Sequence, residues 1–227
     1  MNNFIEIKNL SKNYFNQRKV TVLRNLNYKF KKGKIYSLVG PSGSGKSTLL
    51  NILSLIDRPS AGNLIINKSK INFENFSEND NIRSNYFGII YQEKNLLNDF
   101  TALENIYLAG LANGKTISES IKLSYKILKK LRLKNRSEHF PSQLSGGENQ
   151  RIAIGRALVN SPDIIIADEP SGNLDHKNAK DFFKLLFNLK SKNRIIIYAT
   201  HNRYFANLAD CRLQLISGKL KSINARK

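Results

Sequence analysis

The spacing of apolar positions changes period along the chain, and those changes divide it into blocks. Up to residue 40 the pattern is strand-like: Ile5 and Ile7 alternate with Glu6 and Lys8, and Ile35–Val39 is an unbroken apolar run ending on glycine. Leu64–Ile66 and Phe87–Tyr91 add two more strands, separated by a polar, Asn-rich stretch. From 101 to 158 the period becomes helical. Thr101 with Glu104 and Thr116 with Glu119 have the spacing of capping boxes, each opening a helical pattern. Ile121, Tyr125, Leu128 and Leu131 form an apolar stripe that reads as core packing. Strand signals return at Ile164–Ala167 and Ile195–Ala199, with a helix expected over 178–190 between them, and Arg212–Ile216, Ser217-Gly218 and Lys219–Ile223 read as a hairpin. With no internal repeat and no long linker, the pattern predicts a strand-rich α/β core interrupted by a helical insertion.

Composition adds one feature and removes several possibilities. The chain has 227 residues with ordinary apolar (41%) and charged (24%) fractions, enough to bury its own core. A single cysteine excludes a disulfide framework or a Cys-based zinc cluster. No signal peptide is read at Met1–Glu6, and no apolar run approaches the roughly 20 residues that cross a bilayer, so a soluble cytosolic chain is expected. The unusual number is charge: 37 Lys+Arg against 17 Asp+Glu give +20. Such a charge raises nucleic acid, an anionic membrane or a polyphosphate as partners. The basic clusters, Lys29/Lys31/Lys32/Lys34 and Lys129/Lys130/Arg132/Lys134/Arg136, are short and lack aromatics at stacking spacing. Solvated faces are the favoured reading, a membrane surface the second.

The chemistry begins at Gly40-Pro41-Ser42-Gly43-Ser44-Gly45-Lys46-Ser47, which fits the phosphate-loop pattern G-x-x-x-x-G-K-[ST] between a strand and a helix that continues from Thr48. The glycines let backbone N–H groups close around phosphate oxygens at a helix start whose dipole favours anions. Lys46 supplies a mobile charge for the β- and γ-phosphates, and the Ser47 hydroxyl can ligate Mg²⁺. A plain Gly/Ser surface turn would not need lysine and serine in that order. Asp168 and Glu169 end the apolar run Ile164–Ala167, where open α/β sheets bind ligands. Alone they could merely cap a strand; paired with the phosphate loop, Asp168 reads as the holder of hydrated Mg²⁺ and Glu169 as the base for an attacking water. Leu144-Ser145-Gly146-Gly147-Glu148 supplies a third element. Ser145 and Glu148 form a capping box, and the glycine pair exposes backbone N–H groups at a second anion-favouring helix start. One nucleotide cannot occupy two helix starts that lie apart, which points to a head-to-tail dimer.

At this pentapeptide the sequence resembles the ATP-binding cassette (ABC) family, whose signature lies between its two nucleotide motifs, and the resemblance covers essentially the whole chain. It implies an α/β fold: a P-loop NTPase (RecA-like) core with an antiparallel β subdomain and an inserted α-helical subdomain. Residues 1–227 would form this single nucleotide-binding domain, with 1–92 and 157–227 the core and β subdomain and 93–156 the helical subdomain. The implied ligands are ATP and Mg²⁺. Tyr14 would stack on adenine; Gly40, Pro41, Ser42, Gly43, Ser44, Gly45, Lys46, Ser47 and Thr48 would cradle the phosphates; and Ser47, Gln92 and Asp168 would hold the metal. Catalysis would fall to Glu169, His201, Gln92 and Lys46. Ser145, Gly146, Gly147 and Asp175 would complete the partner's site across a homodimer closed by ATP. His139, His176 and Cys211 match no role, the first two reading as surface residues and the last as a small packed one.

Two positions depart from the family pattern. Glu148 stands where glutamine is common, and Gly155 where alanine is common, which should weaken that helix by about 1 kcal/mol. Tyr91–Leu97, Phe100–Asn105 and Pro170–Asp175 together resemble the group of lipoprotein-releasing, macrolide/peptide-efflux and cell-division ATPases, and come nearest to the lipoprotein-releasing type. This implies an ATPase on the cytoplasmic side of the inner membrane, peripheral to it, working with integral permease subunits and not with nucleic acid. A division-type or efflux-type ATPase is the alternative. A soluble nucleic-acid cassette is a further one, disfavoured by the single phosphate loop and the absence of sustained heptads.

Overall fold

The computed structural model describes residues 3–16, 18–91, 95–172 and 174–223. Two sheets organise it. The strands β1 (Asn3–Asn16), β2 (Arg18–Lys31), β4 (Ala61–Ile66) and β5 (Ser69–Lys70) form an antiparallel sheet in the order β2-β1-β4-β5. The second sheet has the order β10-β9-β3-β8-β7-β6, built from β3 (Ile35–Val39), β6 (Phe87–Ile90), β7 (Ile164–Asp168), β8 (Ile195–Ala199), β9 (Cys211–Ile216) and β10 (Lys219–Ile223). Its five pairings are parallel except at the β9–β10 hairpin. Parallel strands covered on both faces need apolar side chains at every position. Hence Ile164–Ala167 and all of β8 are buried.

The helices are α1 (Lys46–Leu53), α2 (Phe76–Tyr86), α3 (Ala102–Leu111), α4 (Ile117–Lys130), α5 (Gly146–Leu158), α6 (His176–Asn188) and α7 (Arg203–Ala206). Alternation along the parallel strands separates two cores. Ile164, Ile166, Ile195 and Ile197 face the first core, shared with Leu49, Leu50, Ile52 and Leu53 of α1 and with the antiparallel sheet. Ile165, Ala167, Ile196 and Tyr198 face the second, shared with α3, α5 and α6. The helix that follows the phosphate loop and the helix that follows the signature therefore lie on opposite faces of one sheet.

The three boxes read from sequence are all closed: Thr101, Thr116 and Ser145 each accept from the N–H three residues on, and each partner glutamate reaches back. Four expectations change. The Asn-rich stretch contains α2, which the periodicity could not show because only Asn79 of its residues is buried; Asn75 caps it by accepting from the Glu78 N–H. Helix α6 starts two residues earlier than expected, at His176, because Asp175 caps it. Tyr125 is exposed rather than core. The buried positions of α4 are Ser120, Ser124 and Leu128, because a Cβ on Gly110 of α3 would lie 2.7 Å from Ser120 Oγ, an approach that only small residues permit. Gly155 likewise has a packing reason: a Cβ there would meet Ile106 Cδ1 at 2.7 Å and Ile127 Cγ2 at 3.1 Å.

Candidate functional site

The carboxyl edge of three adjacent strands gathers most of the expected residues. Beyond β3, Gly40 passes so close to the hairpin that a Cβ would sit 2.2 Å from the Leu215 carbonyl oxygen. Gly45, at φ +98°, is the N-cap of α1; no side chain caps that start, and no acid occupies its first turn. The loop Pro41–Gly43 is exposed, and the Ser44 N–H returns to Pro41 O at 3.2 Å. Lys46 is 9% exposed, its ammonium donating to Gly40 O at 3.0 Å and Pro41 O at 3.1 Å. Ser44 Oγ is buried without a hydrogen-bond partner. An uncapped helix start with a buried lysine and an unspent hydroxyl beside it suits an anion.

On β7, Asp168 pairs with Ala199 of β8. Burial pushes its carboxyl above the usual range; the neighbouring Glu169 adds to this, while Ser47 and Lys46 oppose it. Its Oδ1 is buried and has no hydrogen-bond partner. An orphaned carboxylate oxygen beside the Ser47 hydroxyl fits a hard divalent cation. No cluster of three His, Cys, Asp or Glu exists among the described residues.

Glu169 follows in the left-handed region, φ +42°, a costly conformation for a residue with a side chain. Four hydrogen bonds hold the turn. The Glu169 N–H donates to Ala199 O at 3.2 Å; its Oε2 accepts from the His201 backbone N–H at 3.2 Å and meets His201 Nδ1 at 2.9 Å; and Gln150 Nε2 of α5, fully buried, donates to Pro170 O at 2.9 Å. A carboxylate only accepts, so Nδ1 carries the hydrogen, leaving His201 Nε2 turned away from Glu169. Glu169 is largely buried and His201 73% exposed. The Thr200 N–H bonds Leu38 O, which locks this corner to the strand carrying the phosphate loop.

Tyr14 comes from the other sheet, on β1 opposite Val20, and is 43% exposed. Its hydroxyl donates to Asp57 Oδ2 at 2.9 Å and lies beside Thr48 of α1.

Ser145, Gly146 and Gly147 are elsewhere. Ser145 Oγ accepts from the Glu148 N–H, and Glu148 Oε2 accepts from the Ser145 N–H at 2.8 Å. The Ser145 N–H first, then the Ser145 hydroxyl and Arg136, outweigh burial and hold the Glu148 carboxyl below its usual range. Gly147 has a second reason to be glycine, since a Cβ would lie 2.8 Å from Asn178 Oδ1 of α6. Asp175 caps α6 through the Asn178 N–H. Gln92 lies outside the described residues. Beside Tyr91 runs a groove of about 540 Å³ between α2, β6, α3 and α5, lined among others by Asp80, Arg83, Ala109 and Asn160.

Sequence reading missed Gln150, Lys12 and Asp57. Lys12 and Asp57 are 45 positions apart, and Gln150 reaches across 20, so no local spacing signals either contact.

The chain is similar to known proteins over its length. The family described as ABC transporter matches residues 23–172. "Lipoprotein-releasing system ATP-binding protein LolD" of Wigglesworthia glossinidia brevipalpis is 41% identical, covering 99% of this chain and all of that protein. The protein of the same name from Rickettsia bellii is 42% identical, covering 96% and 98%. Among solved structures, the ATP-binding cassette MJ0796 in a dimeric post-hydrolysis state bound to ADP and Pi superposes with a TM-score of 0.89 at 34% identity, over 98% of this chain and 99% of that one. A second dimeric MJ0796 structure gives 0.88 at 35% identity, with the same coverage.

Proposed function

The chain belongs to the ABC transporter family and is an ATP-hydrolysing cassette, and from that premise we propose that it powers the release of lipoproteins from the inner membrane through permease subunits. The observation that carries the ATPase chemistry is the convergence of the phosphate loop, Asp168, Glu169 and His201 at the carboxyl ends of β3, β7 and β8. The cargo follows from the shared name of the full-length relatives. In this reading the nucleotide core is 1–92 with 157–227, and 93–156 is the helical arm.

Phosphoryl transfer to water asks a protein mainly for positioning and charge. The N–H groups of the loop from Gly40 to Thr48 and the Lys46 ammonium would bind the β- and γ-phosphates. Ser47 and Asp168, joined by Gln92, would hold Mg²⁺, which when bound neutralises charge developing on the phosphate oxygens. Glu169 would take the proton of the attacking water, and His201, oriented through its Nδ1 hydrogen, would turn Nε2 to the γ-phosphate. Because α1 and α5 start on opposite faces of the sheet, Ser145, Gly146 and Gly147 would meet the nucleotide of a second copy, with Asp175 at the crossing; this supports a homodimer closed by ATP. Contact with the membrane would be peripheral, on the cytoplasmic side, through the permease subunits; no helix among the described residues is long and apolar enough to cross a membrane. The groove beside Tyr91 and Ala109 would seat a cytoplasmic helix of the permease.

The test begins with Glu169→Gln, which should bind ATP and hydrolyse it about 100- to 1,000-fold more slowly. Hydrolysis at the parent rate would remove Glu169 as the base. This variant, loaded with ATP and Mg²⁺, serves as bait in native membranes; the captured permease, reconstituted with the parent protein in lipoprotein-loaded vesicles, should release lipoprotein on adding ATP. ATP hydrolysis with no release would overturn the cargo and move the protein to the division type or the efflux type.

A further inference from the structure

Tyr14 is held by a pair of charged residues that no motif contains. Lys12, two residues before Tyr14 on β1, is 7% exposed, and its ammonium donates to Asp57 Oδ1 at 2.6 Å and to Arg58 O at 2.7 Å. The same ammonium lies 4.8 Å from the centroid of the Tyr14 ring. Asp57 divides its oxygens: Oδ1 takes Lys12 and the Arg58 N–H, and Oδ2 takes the Tyr14 hydroxyl at 2.9 Å. Asp57 is itself fixed to the helix behind the phosphate loop, its N–H donating to Asn51 O of α1 at 3.2 Å. A continuous path of hydrogen bonds thus runs from α1 through Asp57 to a ring on the other sheet.

A buried lysine is costly unless its donors are met, and here two acceptors meet them. Burial alone would raise the Asp57 carboxyl; Lys12, Tyr14 and the Arg58 N–H hold it below its usual range, so it is a charged acceptor at neutral pH. Burial, followed by the bond to Asp57, raises the Tyr14 hydroxyl, which therefore stays protonated and donating. A ring tied at its hydroxyl and covered on one face by an ammonium has one face left for a planar ligand, and a pre-set ring loses little freedom on binding.

We infer that Lys12 and Asp57 are positioning residues for the nucleotide base, fixing the Tyr14 ring by its hydroxyl and one face so that the other face receives the base in register with the phosphate loop. This rests on Tyr14 being the seat of the base, and the experiment separates the two. Affinities of the full chain are measured for ATP and for inorganic tripolyphosphate, which has no base. Tyr14→Ala should weaken ATP and leave tripolyphosphate unchanged; unchanged ATP affinity in Tyr14→Ala would remove the seat itself. Tyr14→Phe, which keeps the ring, and Asp57→Asn should each weaken ATP by roughly fivefold, the scale of one hydrogen bond, with tripolyphosphate untouched. Added to Tyr14→Ala, Asp57→Asn should cost nothing more, since its effect passes through the ring. Parent ATP affinity in Tyr14→Phe, a loss in Asp57→Asn shared equally by tripolyphosphate, or full additivity with Tyr14→Ala overturns the inference. Tyr14→Phe removes no packing, so it remains informative if Asp57→Asn fails to fold.

Discussion

Two glycine-rich helix starts in this chain, at Gly45 and at Ser145, look alike in sequence and are built to different ends. The start of α1 has no side-chain cap and no acid; its lysine is buried, and the hydroxyl of Ser44 is unspent. The start of α5 is closed by its own capping box, carries Glu148, and has that glutamate paired with Arg136 at 3.3 Å. In the proposed reading the first is the principal phosphate site. The other has its third N–H taken and a carboxylate close by, so its dipole is partly answered within the chain, and it suits a supporting part in a site completed by another copy. A helix start binds anions to the extent that its own side chains leave it unsatisfied.

That contrast can be broken in four ways. Lys46→Ala should weaken ATP on the order of 100-fold in equilibrium binding; retained affinity would mean that the α1 start is not the principal phosphate site. Ser145→Arg, made in the Glu169→Gln background, should keep monomer affinity within about twofold and lose the ATP-driven dimer in sedimentation. If binding to the monomer falls as well, the two starts serve one nucleotide in one chain. Gly147→Val should cost about 1–3 kcal/mol in denaturant unfolding through its clash with Asn178, whereas Gly146→Val, at an exposed position, should cost less. Equal costs would show that the glycine pair answers to backbone conformation rather than to α6. The smallest effect is electrostatic. Glu148 has a depressed carboxyl, so its charge stabilises the fold above the ordinary carboxylate range, and that contribution disappears as pH falls through its folded value. Glu148→Gln, which keeps the box, should lose roughly 0.5 kcal/mol at neutral pH, and the difference should close in acid melts; a gap that persists at low pH would assign the loss to shape.

Much of the molecule was legible in the chain. Parallel strands buried on both faces must be apolar throughout, so Ile164–Ala167 and Ile195–Ala199 announced themselves, and the boxes at Thr101, Thr116 and Ser145 marked three helix starts. The polar α2 was silent because only Ile82 and Tyr86, both partly buried, carry its packing against the first core, too few to set a period, and Asn75 caps its start. Gly155 looked like a weakness in its helix, yet its missing side chain is what lets Ile106 and Ile127 approach. Of the candidate site, the phosphate-loop pattern and Asp168-Glu169 could be picked out locally, since residue type at fixed spacing is what marks them.

The sequence by itself determined the strand order of chemistry: a phosphate loop after one apolar strand, paired carboxylates after another, and a capped signature helix between. Those are local properties, set by which residues permit a tight turn, supply a charge or cap a helix. The tertiary structure decided what meets. It put α1 and α5 on opposite faces of one sheet, turned Glu169 onto His201 across neighbouring strands, and brought Asp57, beyond the end of α1, to Lys12 and Tyr14 of β1. Such contacts depend on the pairing and twist of distant strands, and a one-dimensional pattern has no term for the distance between residues it does not place side by side.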